Sequence, residues 1–229
     1  MSNSQSGFPE DAAPTIVDQG SISSSIPPPR PNYYYDMAES DTEIHWRTII
    51  EPVLRWHSVD YGRTLDFAAG HGRFSAKFAD VAKHITIVDT DPENIQFCRD
   101  RFSGNPAFTY ICNDGSTLQG IPDKSISFFF TFDAMVLFDM QTVQCYIKEA
   151  FRVLEPGSQG FFHYSNYDRV PGGDFQVNPH CRNFMSKSLF EHLAFGAGFF
   201  IVHSSTISWG GILDLDGIAL LRKPLRAWL

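Results

Sequence analysis

The chain has no basic stripe, no cysteines at metal-ligand spacing and no apolar run long enough to cross a bilayer. Lys and Arg number 18 against 26 Asp and Glu, for a formal charge of -8. No cluster of the basic residues forms a surface that would hold phosphates, which argues against a nucleic-acid partner. The four cysteines, Cys98, Cys112, Cys145 and Cys181, are scattered, with no C-x-x-C and no histidine at ligand spacing. They read as free thiols in a reducing compartment, and no metal site is expected. The N-terminus lacks a basic segment followed by an apolar core, so no signal peptide is read. The longest apolar run, "AFGAGFFIV" at 194–202, is too short to span a membrane. These absences predict a soluble, cytoplasmic protein with no membrane partner. Oligomeric state is left open.

What is present is enough apolar residue for one sizeable core: 43% of 229 residues. The first 32 residues are Ser- and Pro-rich, ending "SSSIPPPRP", and cannot bury enough surface to offset their ordering entropy. An extended tail is expected there, followed by a single domain over 33–229 whose helical start (33–58) includes Tyr33, Tyr34 and Tyr35. From residue 33 two periodicities alternate. "IHWRTIIEPVLRWH" has helical spacing, with Pro52 as a kink or break. "GRTLDFA", "HITIVDT", "AFTYICN", "SISFFFTF", "GFFHYSN", "FFIVHSST" and "DGIALLRK" read as seven strands. Phe74, Phe78 and Val81 give one helical face. Asp91 before Pro92 is an N-cap, the segment from Gln141 to Leu154 is a strong helix, and Ser188 with Glu191 fits a capping box. Strands alternating with helices predict an α/β fold: a doubly wound, mostly parallel seven-stranded sheet with helices on both faces. The last two strands, with no helix between them, predict a C-terminal antiparallel hairpin.

In such a sheet ligands bind beyond the carboxyl ends of the strands. "TLDFAAGHGRFS" (64–75) strips its side chains just where the first strand ends, at Asp66, Ala68, Gly70 and Gly72. Glycines there let a backbone approach a ligand beside a helix N-terminus. The second strand ends at Asp89, a carboxylate able to accept both hydroxyl hydrogens of a ribose. The third ends in "NDG", placing Asp114 within reach of an adenine amino group. Each feature alone has a plainer reading, as a turn, a solvated acid or a cap. In order and at spacing they describe a nucleoside cradle. A dinucleotide is disfavoured, because Ser75 stands where the third glycine of G-x-G-x-x-G belongs. The alternatives kept open are an NAD(P)-dependent oxidoreductase and a non-catalytic nucleoside-binding module.

The series resembles the class I S-adenosylmethionine-dependent methyltransferases. "LDFAAGHGRFS" is similar to their first motif, "ITIVDTDPENI" to their second strand with its ribose-binding acid, and "CNDG" to their adenine-contacting loop. "YIKEAFRVLEPGSQGFFHYSN" and "FMSKSLFEHLAFGAGFFIV" resemble their later helices and strands, so the likeness covers about residues 60–222. It implies a Rossmann-like methyltransferase fold, S-adenosyl-L-methionine as cofactor, and cofactor contacts from Asp66, Ala68, Gly70, Gly72, Asp89, Thr90, Asp114, Gly115, Phe132 and Asp133. Ala68 replaces the usual first glycine, which suits the motif only if its backbone stays at negative φ. The resemblance also implies that an N-terminal segment closes over the cofactor, a place the three tyrosines could take. Methyl transfer asks the protein to align nucleophile, methyl and sulfur and, for a hydroxyl or ammonium acceptor, to remove a proton. Asn166, at the end of the fifth strand, and His180, in the long polar 167–184 connection, are the candidates to meet the acceptor. His163 lies inside a buried strand and reads as a core histidine. The expected acceptor is a small molecule or a glycan, methylated on oxygen or nitrogen.

Overall fold

The computed structural model describes residues 32–225. The expected tail lies outside the described residues, apart from Asn32, which opens the first helix. Seven strands form one sheet: β1 (Arg63–Phe67), β2 (His84–Asp89), β3 (Phe108–Cys112), β4 (Ile126–Thr131), β5 (Leu154–Ser165), β6 (Phe200–Trp209) and β7 (Ile212–Arg222). Their order is β3-β2-β1-β4-β5-β7-β6. β1 to β5 pair in parallel, and β7 inserts antiparallel between β5 and β6. The expected terminal hairpin therefore exists, with β6 as the edge. Strand order reverses between β1 and β4, so the loop after β1 sits where the sheet's two halves part.

The central strands are buried on both faces, as their unbroken apolar runs require. Phe129 of β4 packs with Leu65, Phe67 and Phe162 on one face, beneath α6 (Met140–Val153) and α7 (Lys187–Gly196). Phe128 and Phe130 point to the other, with Phe74, Phe78, Ile85 and Ile87, beneath α4 (Arg73–Phe78) and α5 (Pro92–Arg101). Each fully buried phenylalanine contributes about 1.5–3 kcal/mol, so core packing accounts for most of the 21 in the chain.

Several local expectations need correcting. Four connections carry helices, but none lies between β3 and β4. Arg152 on α6 organises that segment instead, donating to the carbonyls of Leu118 and Ile121 while Glu149 accepts from the Leu118 amide. α4 ends at Phe78, so Val81 is exposed rather than inward. Ser186, not Ser188, caps α7, its hydroxyl accepting from the Leu189 amide at 3.2 Å. Pro52 does not break its helix. α2 (Thr42–His45) runs through a widened π turn (Trp46–Ile50) into α3 (Glu51–Leu54), the turn absorbing the bond that proline cannot donate.

Ala68 is the clearest departure. Its φ is +54°, in the left-handed region, against the expectation of a negative value. A side chain there costs about 1–2 kcal/mol, part of which glycine's greater chain entropy offsets. Ala68→Gly should stabilise the protein by about 0.5–1 kcal/mol in urea unfolding. A lower midpoint at unchanged m-value would show that the methyl group's packing outweighs the strain.

Candidate functional site

The small-residue loop after β1 is shaped by close neighbours. Gly70 and Gly72 both have positive φ, and a Cβ on Gly70 would lie 3.0 Å from the Tyr35 ring. A Cβ on Gly72 would press on Phe102 and Cys98 of the adjoining helical segment. His71, between the glycines, stacks on Tyr35 at 3.8 Å and on Phe97 at 3.7 Å. Asp66 lies beneath the loop, buried, accepting from the Ser75 hydroxyl at 2.7 Å. Ser75 thus does a job that glycine could not. Burial pushes the Asp66 carboxyl up to about 7, with the Ser75 hydrogen bonds opposing the rise.

Asp89 ties three segments together. Its Oδ2 accepts from the Gly70 amide at 2.8 Å, and its Oδ1 from the Asp91 amide at 3.0 Å and Asn94 Nδ2 at 3.2 Å. Asn94 also donates to the Tyr35 hydroxyl at 2.9 Å, linking this clamp to α1 (Asn32–Ser40). Asp114 folds onto its own turn: Oδ1 accepts from the Ser116 and Thr117 amides and Oδ2 from the Thr117 hydroxyl. Those backbone bonds bring its carboxyl down to about 2. Thr90 and Gly115 are neighbours, since a Cβ on Gly115 would touch Thr90 at 3.6 Å. The acids after β2 and β3 therefore flank one stretch of the strand ends.

A second cluster lies beyond β4 and β5. Asp133 has φ +60°. Its backbone amide donates to His163 Nδ1 at 2.9 Å. An amide can only donate, so the ring proton sits on Nε2, which faces Asp216 Oδ2 at 3.0 Å. Arg182 grips Asp216 with two bonds, of 2.8 and 2.6 Å. Burial works to raise the Asp216 pKa, but His163 and Arg182 outweigh it and hold it below the usual carboxylate value. The Asp133 carboxylate receives the Tyr34 hydroxyl at 3.0 Å and faces the guanidiniums of Arg73 at 3.4 Å and Arg182 at 3.8 Å. Aromatic rings cluster nearby: Phe132 stacks on His163, and Trp209 lies against His45, with Arg182 over its face.

Of the two residues expected at the acceptor, Asn166 has its amide engaged. It donates to the Asp214 carbonyl and accepts from the Lys187 amide, joining β7 to the start of α7. His180, exposed and at φ +50°, lies over Gly210 in the β6–β7 turn, next in sequence to Trp209. His163 is fully buried, as expected of a core histidine. Tyr34 and Tyr35 both reach the strand ends; the Tyr33 side chain lies outside the described residues. Arg73, Arg182, Asp216, Asn94 and His45 were not anticipated. Arg73 adjoins the glycine loop in sequence, but Arg182, Asp216 and Trp209 meet from separate segments with no spacing to betray them.

Residues 65–162 match the family model described as a methyltransferase domain. No curated protein matches the chain. Among solved structures, a protein from Pyrococcus horikoshii aligns with TM-score 0.65 and 19% identity over 85% of this chain and 100% of its own. An S-adenosylmethionine-dependent methyltransferase from Mesorhizobium loti aligns with TM-score 0.62 and 15% identity over 75% and 96%. The cyclase SpnF aligns with TM-score 0.62 and 18% identity over 83% and 82%. At such identities the structural likeness carries the fold; the domain match carries the activity. Residues 65–162 carry a methyltransferase domain.

S-adenosylmethionine is the cofactor of this methyltransferase, and the residues present fit it. At Gly70 any side chain would press on the Tyr35 ring, so glycine is what lets the loop backbone and α1 lie together. Asp89 keeps acceptor capacity on Oδ2 for a ribose hydroxyl. Arg73, whose guanidinium lies at the same strand ends, would meet the carboxylate of the cofactor's methionine end. When bound, the cofactor supplies an activated methyl group on a sulfonium. The chain's own part is to hold it and exclude water.

Two outcomes follow. Because Asp66 has a folded pKa raised above its unfolded value, its contribution to stability is intact below about 4 and is lost as pH rises through about 7. Asp66→Asn should remove that loss, leaving the variant more stable than the wild type at pH 8 by on the order of 2–4 kcal/mol; equal pH dependence of the two proteins in thermal unfolding would refute it. Asp89→Asn should weaken S-adenosylhomocysteine binding by about 1.5–3 kcal/mol, tenfold or more. It should also lower stability, since one of three donors would face an amide nitrogen. Lower stability with wild-type affinity in calorimetry would remove Asp89 from the ribose.

Proposed function

We propose that this methyltransferase acts on a small organic acceptor bound beyond β4 and β5. The observation that carries the reading is the aromatic character of that region: Phe132, His163, Trp209 and His45 pack ring against ring beside Asp133. α1 lies across it, held by Tyr34 on Asp133, by Arg73 on the Ala38 carbonyl and by a two-bond pair between Arg101 and Glu39. A covered, aromatic-lined place suits a small ligand better than a polymer. The formal charge of -8 argues in the same direction against nucleic acid. In this reading α1 to α3 form a lid, Arg73 and Asp89 hold the cofactor, and groups around Asp133 orient the acceptor. His180 stands at the rim beside the β6–β7 turn. The four cysteines are free thiols, which suits a reducing cytoplasm. Among the described residues no helix is long and apolar enough to cross a membrane.

S-adenosylhomocysteine at a hundred times its dissociation constant should stabilise the protein by about 2.7 kcal/mol, raising Tm by roughly 5–10 °C. NAD should not. A screen of small hydroxylated and amine compounds with radiolabelled cofactor should then find an acceptor. A shift with NAD and none with S-adenosylhomocysteine would point to an oxidoreductase. A cofactor shift with labelling only of added protein or RNA would move the acceptor to the macromolecules.

A further inference from the structure

Tyr34 places a phenol hydroxyl 3.0 Å from Asp133 Oδ2, as its donor. The tyrosine belongs to α1, the segment that lies over the site, and not to the sheet that builds it. Asp133 is held independently of α1. Its left-handed backbone is fixed by the bond to His163, which Asp216 and Arg182 hold in turn from beneath. Burying a charged pair such as Asp216–Arg182 is weak evidence for stability, and left-handed backbone at a non-glycine residue costs energy as well. Both costs are incurred at one point, and their joint effect is to aim one carboxylate.

Charge then decides what that carboxylate can receive. Arg73 and Arg182 lie 3.4 and 3.8 Å from it, two positive groups around one negative. Both are buried, so screening by solvent is weak. An ammonium presented to Asp133 would meet two guanidiniums at close range. A neutral hydroxyl would not, and any negative charge that developed on its oxygen would be stabilised by the same pair. The rings of Phe132, His45 and Trp209 pack against one another beside it, an apolar neighbourhood that suits an aromatic carrier of that hydroxyl.

We propose that Asp133 receives a phenolic hydroxyl of the acceptor, that Arg73 and Arg182 select oxygen over nitrogen, and that Tyr34 occupies the hydroxyl's position when α1 is closed. The proposal rests on the small-acceptor reading and narrows it to O-methylation. In the step, the acceptor's oxygen–carbon bond forms as the carbon–sulfur bond of the methylsulfonium breaks. The electron pair stays on sulfur, and the hydroxyl proton passes to the Asp133 carboxylate.

The test uses p-cresol and benzylamine as probes, titrated by ligand-observed NMR into the full chain saturated with S-adenosylhomocysteine. p-Cresol should bind and benzylamine, an ammonium at neutral pH, should bind at least about tenfold more weakly. Asp133→Asn, close to isosteric, should weaken p-cresol at least about tenfold while S-adenosylhomocysteine affinity stays within about threefold by calorimetry. Tyr34→Phe should strengthen p-cresol binding, because it removes the internal competitor. Equal or tighter binding of benzylamine, or p-cresol binding indifferent to both substitutions, would overturn the proposal. So would an Asp133→Asn variant that loses cofactor affinity and keeps p-cresol, which would assign Asp133 to the cofactor. Failure of the wild type to bind S-adenosylhomocysteine would be a different result, striking the cofactor reading itself.

Discussion

Burial of β4 on both faces is the constraint from which the rest of the structure follows. All six residues from Ile126 to Thr131 are buried, with phenylalanines alternating between two apolar layers. A strand so placed can tolerate no polar ligand group along its length. Polar chemistry is therefore driven to the strand ends, and in a parallel sheet the carboxyl ends of β1, β2, β4 and β5 all open on one edge. The Gly70 loop, Asp89, Asp133 and the connection after β5 meet there because the sheet leaves them nowhere else to go.

Two polar assemblies divide that edge. One is the clamp around Asp89, which draws the Gly70 loop, the start of α5 and, through Asn94, Tyr35 of α1 into one hydrogen-bonded unit. The other is the buried chain from Arg182 through Asp216 and His163 to the Asp133 amide. In the proposed reading the first would hold the nucleoside and the second the acceptor. Arg73 stands between them, reaching Asp133 with one nitrogen and the Ala38 carbonyl of α1 with another. A single guanidinium thus connects the two halves of the site to the segment that covers them.

Some of the chain's backbone strain lies at the same edge. Ala68 and Asp133 both hold left-handed backbone, one at the end of β1 and one at the end of β4, on either side of the place where strand order reverses. Alanine does not favour this conformation, and aspartate adopts it only occasionally. Asp133 is held there by a specific bond to His163, whereas at Ala68 glycine would meet the same geometry without the steric cost. The difference separates a strained residue with a visible partner from one that only inherits the shape of its loop.

The sequence by itself determined the sheet, its two buried faces, the terminal hairpin and the acids at the ends of β1, β2 and β3. Each of these is written in local periodicity or in spacing within a few residues, from "LDFAAGHG" to "VDTDP". Caps and helix ends were less secure: Ser186 and Ser188 are equally good candidates until the amide that needs a partner is located. The left-handed turn at Ala68 was hidden because backbone handedness at alanine is imposed by surroundings, not by composition. The Asp133 cluster was out of reach for a different reason. Arg73, Asp133, His163, Arg182, Trp209 and Asp216 lie on separate elements, and the order β5-β7-β6 is what sets Asp216 beside His163. Strand pairing, a long-range choice made by the packed chain, decided which of several acids and histidines would share a proton and which would simply face water.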